Sequence, residues 1–200
     1  MSEHYFSNIP TGPERRRTIE VELFGHRVSV ETANGVFAGD GLDKATAVLL
    51  REVPPPTGNP RILDLGCGWG AIALGLALAT PGALIDAVDV NERALALCRD
   101  NADRLGVGGR IRTVRPDQVA EDATYDQIWS NPPIRIGKSA LHDLLRTWLP
   151  RLTPDGVAYL VVGKNLGADT LAAWLISEGF SCTRLSSAKG FRVLEVRPRG

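Results

Sequence analysis

From Arg61 onward the chain alternates between short apolar runs and helical runs, and this alternation limits the possible folds more than any other feature. Arg61-Ile62-Leu63-Asp64-Leu65 reads as a buried strand, followed by a small-residue helix from Ala71 to Ala79. A strand from Ala83 to Val88 leads to a helix from Glu92 to Leu105 with Asn91 as its cap. Arg110 to Val114 and Tyr125 to Ser130 are strands, Lys138 to Leu152 a helix, and Gly156 to Val162 a very apolar strand. Leu166 to Glu178 is a helix, and Phe180 to Leu185 and Phe191 to Arg197 are the last strands. Strands separated by helices make βαβ units with right-handed crossovers. Ser186 to Gly190 is too short for a crossover, so the final pair is an antiparallel hairpin. The expected fold is α/β: a doubly wound, mostly parallel seven-stranded sheet of Rossmann-like type with an antiparallel last strand.

An extension precedes this unit. The first seventeen residues read as irregular and end in Arg15-Arg16-Arg17, either a solvated tail or an arm for RNA. Thr18 to Phe24 and Arg27 to Thr32 alternate apolar and polar residues, the mark of a β-hairpin turning at Gly25-His26. Gly35 to Gly41 is a loop, and Leu42 to Val53 a helix stopped by Pro54-Pro55-Pro56. Residues 1–56 are expected to pack as an extension on a catalytic unit spanning 57–200. Two hundred residues suffice for one such α/β domain and are short for two.

Composition excludes several classes. The formal net charge is zero, so no global field draws the chain to nucleic acid, and any such binding needs a local patch. Cys67, Cys98 and Cys182 are odd in number and form no CxxC pair, which points to reduced thiols, a cytoplasmic protein and no metal site. The polar N-terminus carries no secretion signal. The apolar stretch from Ala71 to Ile85 is broken by Pro81-Gly82 and too short to span a bilayer, so a soluble protein is expected.

The first strand runs into Asp64-Leu65-Gly66-Cys67-Gly68-Trp69-Gly70-Ala71. Alternate glycines let the backbone turn tightly and approach a ligand, at the place where doubly wound sheets bind nucleotides. Asp89 ends the second strand, 23 residues beyond Gly66, where a ribose-binding carboxylate belongs. Gly66-x-Gly68-x-x-Ala71 also satisfies the dinucleotide fingerprint, so the glycines alone leave a nicotinamide enzyme open. Asp64 argues the other way, because a carboxylate there repels a pyrophosphate and welcomes an ammonium or a sulfonium. No tyrosine has a lysine four residues on, so no hydride-transfer apparatus is visible.

Asn131-Pro132-Pro133-Ile134 follows the strand Tyr125 to Ser130. Two prolines cannot continue a ladder, and Asn131 before proline is held extended. A stiff corner results, rich in acceptors and poor in donors, suited to holding an –NH2 group.

These residues, in this order, resemble the class I S-adenosylmethionine (SAM) methyltransferases. His4-Tyr5-Phe6, Gly35-Val36-Phe37, Asp40-Gly41-Leu42-Asp43 and Asn131 to Lys138 are similar, more narrowly, to the small methyltransferase domain. That domain occurs in RsmC-type 16S ribosomal RNA guanine-N2 methyltransferases and in shorter stand-alone relatives. The N-terminal domain of the longer enzymes has no counterpart in this chain.

The resemblance implies that Asp64, Gly66, Cys67, Gly68 and Gly70 wrap the methionine part of SAM, with Asp89 on the ribose and Val90 on the adenine. Asp117 would accept from the adenine amine, or stand as a solvated loop acid. Phe37 and Asp43 would close the cofactor pocket, with Phe37 as plain core the competing reading. Asn131, Pro132, Pro133 and Ile134 would form the catalytic corner, Asn131 also bordering the cofactor, and Ile134 would lie against the base. Arg135 and Lys138, extended by Arg15, Arg16 and Arg17, would hold phosphates of an RNA substrate. The expected activity is N-methylation of an exocyclic base amine, first of all guanine N2 in ribosomal RNA, by a monomer or homodimer. A protein glutamine or small-molecule amine is the alternative substrate. A nicotinamide-dependent oxidoreductase or a non-catalytic nucleotide-binding module is the alternative of another class.

Overall fold

A computed structural model of the protein describes residues 13–199, apart from the side chain of Arg135. His4-Tyr5-Phe6 therefore lies outside the described residues. The chain opens with β1 (Arg16–Leu23) and β2 (His26–Ala33), then α1 (Lys44–Glu52). The alternation follows as β3 (Arg61–Leu65), α2 (Ala71–Ala79), β4 (Leu84–Val88), α3 (Glu92–Arg104) and β5 (Ile111–Val114). β6 (Tyr125–Ser130), α4 (Lys138–Trp148), β7 (Leu152–Gly163), α5 (Ala168–Ser177), β8 (Phe180–Ala188) and β9 (Phe191–Pro198) complete it.

Strands β3 to β9 form one sheet in the order β5-β4-β3-β6-β7-β9-β8, parallel except that β9 runs against both neighbours. Chain order reverses between β3 and β6, and in such sheets ligands bind at that switch point, beyond the strands' carboxyl ends. Side chains alternate between the two faces. Ile62 joins a core shared with α1, α2, α3 and the hairpin, while Leu63 and Leu65 join a second core beneath α4 and α5. Among the described residues no helix is long and apolar enough to cross a membrane.

The structure differs from the sequence reading at several element ends: α4 stops at Trp148 rather than Leu152, β8 runs on to Ala188 rather than Leu185, and three further differences concern the hairpin and β7. β1 begins at Arg16, inside the segment read as irregular, because Arg16 and Arg17 pair in register with Ala33 and Thr32. The hairpin turns at Phe24-Gly25 rather than Gly25-His26, since His26 pairs with Leu23. Both turn residues have positive φ (47° and 82°), as a two-residue turn of the primed type requires. Phe24 tolerates this because its ring packs edge-on against Trp129, 6.1 Å between centroids. β7 starts at Leu152, not Gly156: Leu152 pairs with Tyr125, and the segment after it bulges before pairing resumes at Val157.

Candidate active site

The switch point carries two adjoining cavities with Gly66 in the wall of both. The first is bounded by Phe37, Asp43, Thr46, Gly66, Cys67, Gly68 and Asn131. The second is bounded by Asp89 and Val90 on one side and by Pro116, Pro133, Leu144 and Trp148 on the other. Six segments distant in sequence meet there: the Gly35–Gly41 loop with α1, the glycine loop after β3, the end of β4, the turn after β5, the corner after β6, and α4.

Asp64 points from β3 toward α2 and is completely buried. Its Oδ2 accepts from the Ala73 N–H at 2.9 Å, while Oδ1 has no partner. Burial pushes this carboxyl up to about 7, aided by the nearby Asp89 charge and opposed by the Ala73 hydrogen bond. A buried acceptor without a donor is costly, and a ligand ammonium would repay that cost. Asp64 itself lies in the lining of neither cavity, and its charge disfavours a pyrophosphate at the glycine loop that follows it.

Asp89 joins two loops. Its Oδ2 accepts from Gly68 N–H and its Oδ1 from Asn91 N–H, both at 2.9 Å. Burial raises its pKa as well. Asn91 caps α3 and donates to the Gly35 carbonyl at 2.8 Å, which anchors the loop carrying Phe37. Buried Asn101 on α3 donates to the carbonyls of Trp69 and Glu31, tying the glycine loop to the hairpin. Gly66 adopts φ of 81°, and a Cβ built on it would meet no atom within 4 Å. Gly70 lines neither cavity. It begins α2 at φ of 102°, and a Cβ there would stand 2.7 Å from Cys98 Sγ.

The corner after β6 is held from three sides. Ser130 Oγ donates to the Leu65 carbonyl at 2.7 Å, fixing the corner against the glycine loop. Asn131 Nδ2 donates to Asp43 Oδ2 at 2.9 Å and to Thr46 Oγ1 at 3.1 Å. Pro133, at φ −74° and ψ 76°, makes an inverse γ-turn in which Ile134 N–H donates to the Pro132 carbonyl at 2.8 Å. The Pro132 carbonyl thus already accepts from a protein donor, where the sequence reading had a corner poor in donors, and one of its lone pairs is left. Pro132 itself is buried, and Pro133 lines the second cavity, not the first. Ile134 packs on the α4 core, and Ile136 is the exposed apolar residue of that turn.

Several expected residues lie elsewhere. Asp117 is outside both linings, exposed, with Oδ1 accepting from Arg115 Nε at 3.2 Å; its neighbour Pro116 forms the wall. Phe37 is 64% exposed over the first cavity, so it is not core. Arg16 bonds Glu14, Glu31 and Asp100, and Arg17 bonds Asp40 and the Gly39 carbonyl. These two arginines clamp the hairpin to α3 and to the loop, and are neither a tail nor a free arm. The Arg15 side chain is exposed, and only its backbone is tied down, to Asn34. Lys138 is exposed at the start of α4; the side chain of Arg135 lies outside the described residues. Thr46, Pro116, Leu144 and Trp148 were not found from the sequence. An Asp-x-x-Thr pattern opening a helix was the available signal for Thr46, whereas the others carry none.

The model of the methyltransferase small domain matches residues 27–195. The chain belongs to this family. It is an S-adenosylmethionine-dependent methyltransferase related to the 16S rRNA guanine-N2 methyltransferase RsmC, and the oxidoreductase and non-catalytic alternatives give way. An uncharacterized Bacillus subtilis protein, YbxB, is 29% identical over 98% of this chain and 99% of its own length. Ribosomal RNA small subunit methyltransferase C of Shewanella amazonensis is 37% identical over 69% of this chain and 41% of its own length. The T. thermophilus 16S rRNA N2 G1207 methyltransferase RsmC, solved with AdoMet and guanosine, superposes with a TM-score of 0.81 at 25% identity. That match covers 95% of this chain and 52% of RsmC, so the chain spans about half the length of the RsmC proteins it resembles.

Proposed function

We propose that this protein methylates an exocyclic amine of a nucleobase, and specifically guanine N2 in ribosomal RNA. The observation that carries the reading is that Asn131 and the glycine loop from Gly66 to Gly68 wall the same cavity. The acceptor for an amine and the cradle for the methyl donor therefore face one space. The RsmC likeness supports guanine as the base and ribosomal RNA as its carrier.

SAM, when bound, supplies an electrophilic sulfonium methyl. Asp64 Oδ1 would take the ammonium of its methionine part, and Asp89 the ribose hydroxyls. Val90, Pro133, Leu144 and Trp148 would sandwich the adenine. Asn131 Oδ1 and the remaining Pro132 lone pair would accept the two N–H groups of the target amine. An aromatic amine is a poor nucleophile because its lone pair is delocalised. Two acceptors aim that lone pair and stabilise the positive charge that develops on nitrogen, so positioning and preorganised dipoles do the work. The proton leaves after nitrogen has become cationic, which removes the need for a strong base. His142, stacked on Trp174 at 3.7 Å, lines neither cavity and is not required as one.

A base must leave its stack to enter the cavity. Lys138 and Arg135 would then hold flanking phosphates. Residues 1–56 would act as a cover that completes the unit formed by 57–200. The setting is the cytoplasm, and the working form a monomer or homodimer.

Purified protein, labelled SAM and small-subunit particles or their naked RNA from a strain lacking the gene test this reading. Label is expected in RNA, and on digestion in N2-methylguanosine. Label in protein alone would replace the nucleobase with a glutamine or another amine.

A further inference from the structure

We infer that Asp43 and Thr46, both on the N-terminal segment, are positioning residues that set which end of the Asn131 amide faces the substrate. The inference rests on the amine-methylation reading above.

The two ends of a carboxamide have nearly the same shape and opposite chemistry. Packing cannot tell them apart; hydrogen bonds can. A carboxylate only accepts, so Asp43 Oδ2, 2.9 Å from Asn131 Nδ2, admits the NH2 end alone. Thr46 Oγ1 accepts from the same nitrogen at 3.1 Å. Both amide protons are thereby used, and Oδ1 is left for the cavity that all three residues line. The opposite orientation would aim NH2 protons at the protons of a target amine.

Asp43 is itself fixed. It caps α1, and the same Oδ2 accepts from Ala45 N–H at 2.8 Å and Thr46 N–H at 3.1 Å. Thr46 is buried, with 5% of its surface exposed. α1 thus acts as a clamp, its first turn presenting two acceptors to a residue more than eighty positions away. A corner on β6 alone would leave the amide to rotate.

The test compares Thr46→Val, Thr46→Ser, Asp43→Ser and Asp43→Asn with the parent protein, each also in an Asn131→Ala background. Ser keeps the cap of α1 but is too short to reach Asn131, while Asn retains an acceptor at the original reach. Measured are kcat and KM for SAM, S-adenosylhomocysteine affinity, and methyl transfer to small-subunit particles from a strain lacking the gene. Thr46→Val is expected to lower kcat about five- to tenfold, the loss of roughly one hydrogen bond, with KM for SAM and S-adenosylhomocysteine affinity unchanged. Asp43→Ser should lower kcat at least as far. Thr46→Ser and Asp43→Asn should recover most of it. In the Asn131→Ala background Thr46→Val should change nothing further, because it has no amide left to orient. Equal effects in both backgrounds, or a parallel loss of S-adenosylhomocysteine affinity, would overturn the inference.

A second readout is independent of any substrate. The Asn131 carboxamide protons, identified in nitrogen-15 spectra by their disappearance in Asn131→Ala, should exchange slowly and shift in Thr46→Val. Exchange as fast as that of exposed Asn165 would overturn the positioning role even if RNA is methylated. Slow exchange with no label in RNA would uphold the orientation and overturn the substrate reading.

Discussion

Ala73 N–H donates to one oxygen of Asp64 across 2.9 Å, and the other oxygen of that buried carboxylate has no partner. The pair couples the first turn of α2 to the end of β3. It also leaves a carboxyl, pushed up to about 7, with one oxygen unpaired. Its folded pKa lies above the unfolded value of 3.8, so the folded state binds more protons between those limits. Stability from this group is complete below pH 3.8 and is lost as pH rises through about 7.

Asp64→Asn should therefore raise the Tm of the ligand-free protein at pH 8 and change it little at pH 4. The same variant should weaken SAM binding by about ten- to a hundredfold, one charge-assisted hydrogen bond, by calorimetry at pH 8. In the parent protein SAM affinity should strengthen from pH 6 to pH 8 as Asp64 ionises. A pH-independent affinity would remove Asp64 from the ammonium site.

Gly70 serves the fold behind the glycine loop rather than a cavity wall. Gly70→Ala puts a Cβ 2.7 Å from Cys98 Sγ at φ of 102°, and should cost about 1–3 kcal/mol in denaturant unfolding. Adding Cys98→Ala should recover only the steric part, because the backbone strain stays.

The arginines near the N-terminus and Lys138 should separate in an RNA-binding titration. Lys138→Ala is expected to reduce the salt slope by about one and to weaken binding. Arg16→Ala should leave the slope unchanged, since Glu14, Glu31 and Asp100 already occupy that guanidinium. Its effect belongs in stability, at up to about 1 kcal/mol for an exposed cluster.

The strand and helix alternation from Arg61 onward was legible because parallel strands are continuous apolar runs, and Asp89 was legible because it ends one. Asp64 was legible from its place beside three glycines. The contacts of Asp43 and Thr46 with Asn131 were not, because they join α1 to a corner more than eighty residues away and no local pattern encodes that meeting. Leu144 and Trp148 stand four apart on α4, a spacing that marks a buried helix face and nothing more, yet that face borders the second cavity. Arg16 and Arg17 read as a basic run because, apart from Glu14, their acidic partners are distant in sequence: Glu31 and Asp100 for the first, Asp40 for the second.

The most direct measurement is nucleoside mass spectrometry of small-subunit ribosomal RNA from the source strain, the gene deletion, and deletions complemented with the wild-type or Asn131→Ala gene. One N2-methylguanosine should vanish in the deletion, return with the wild-type gene, and stay absent with Asn131→Ala, whose kcat should fall by about 10²-fold or more. An unchanged set of methylated nucleosides in the deletion would contradict the account.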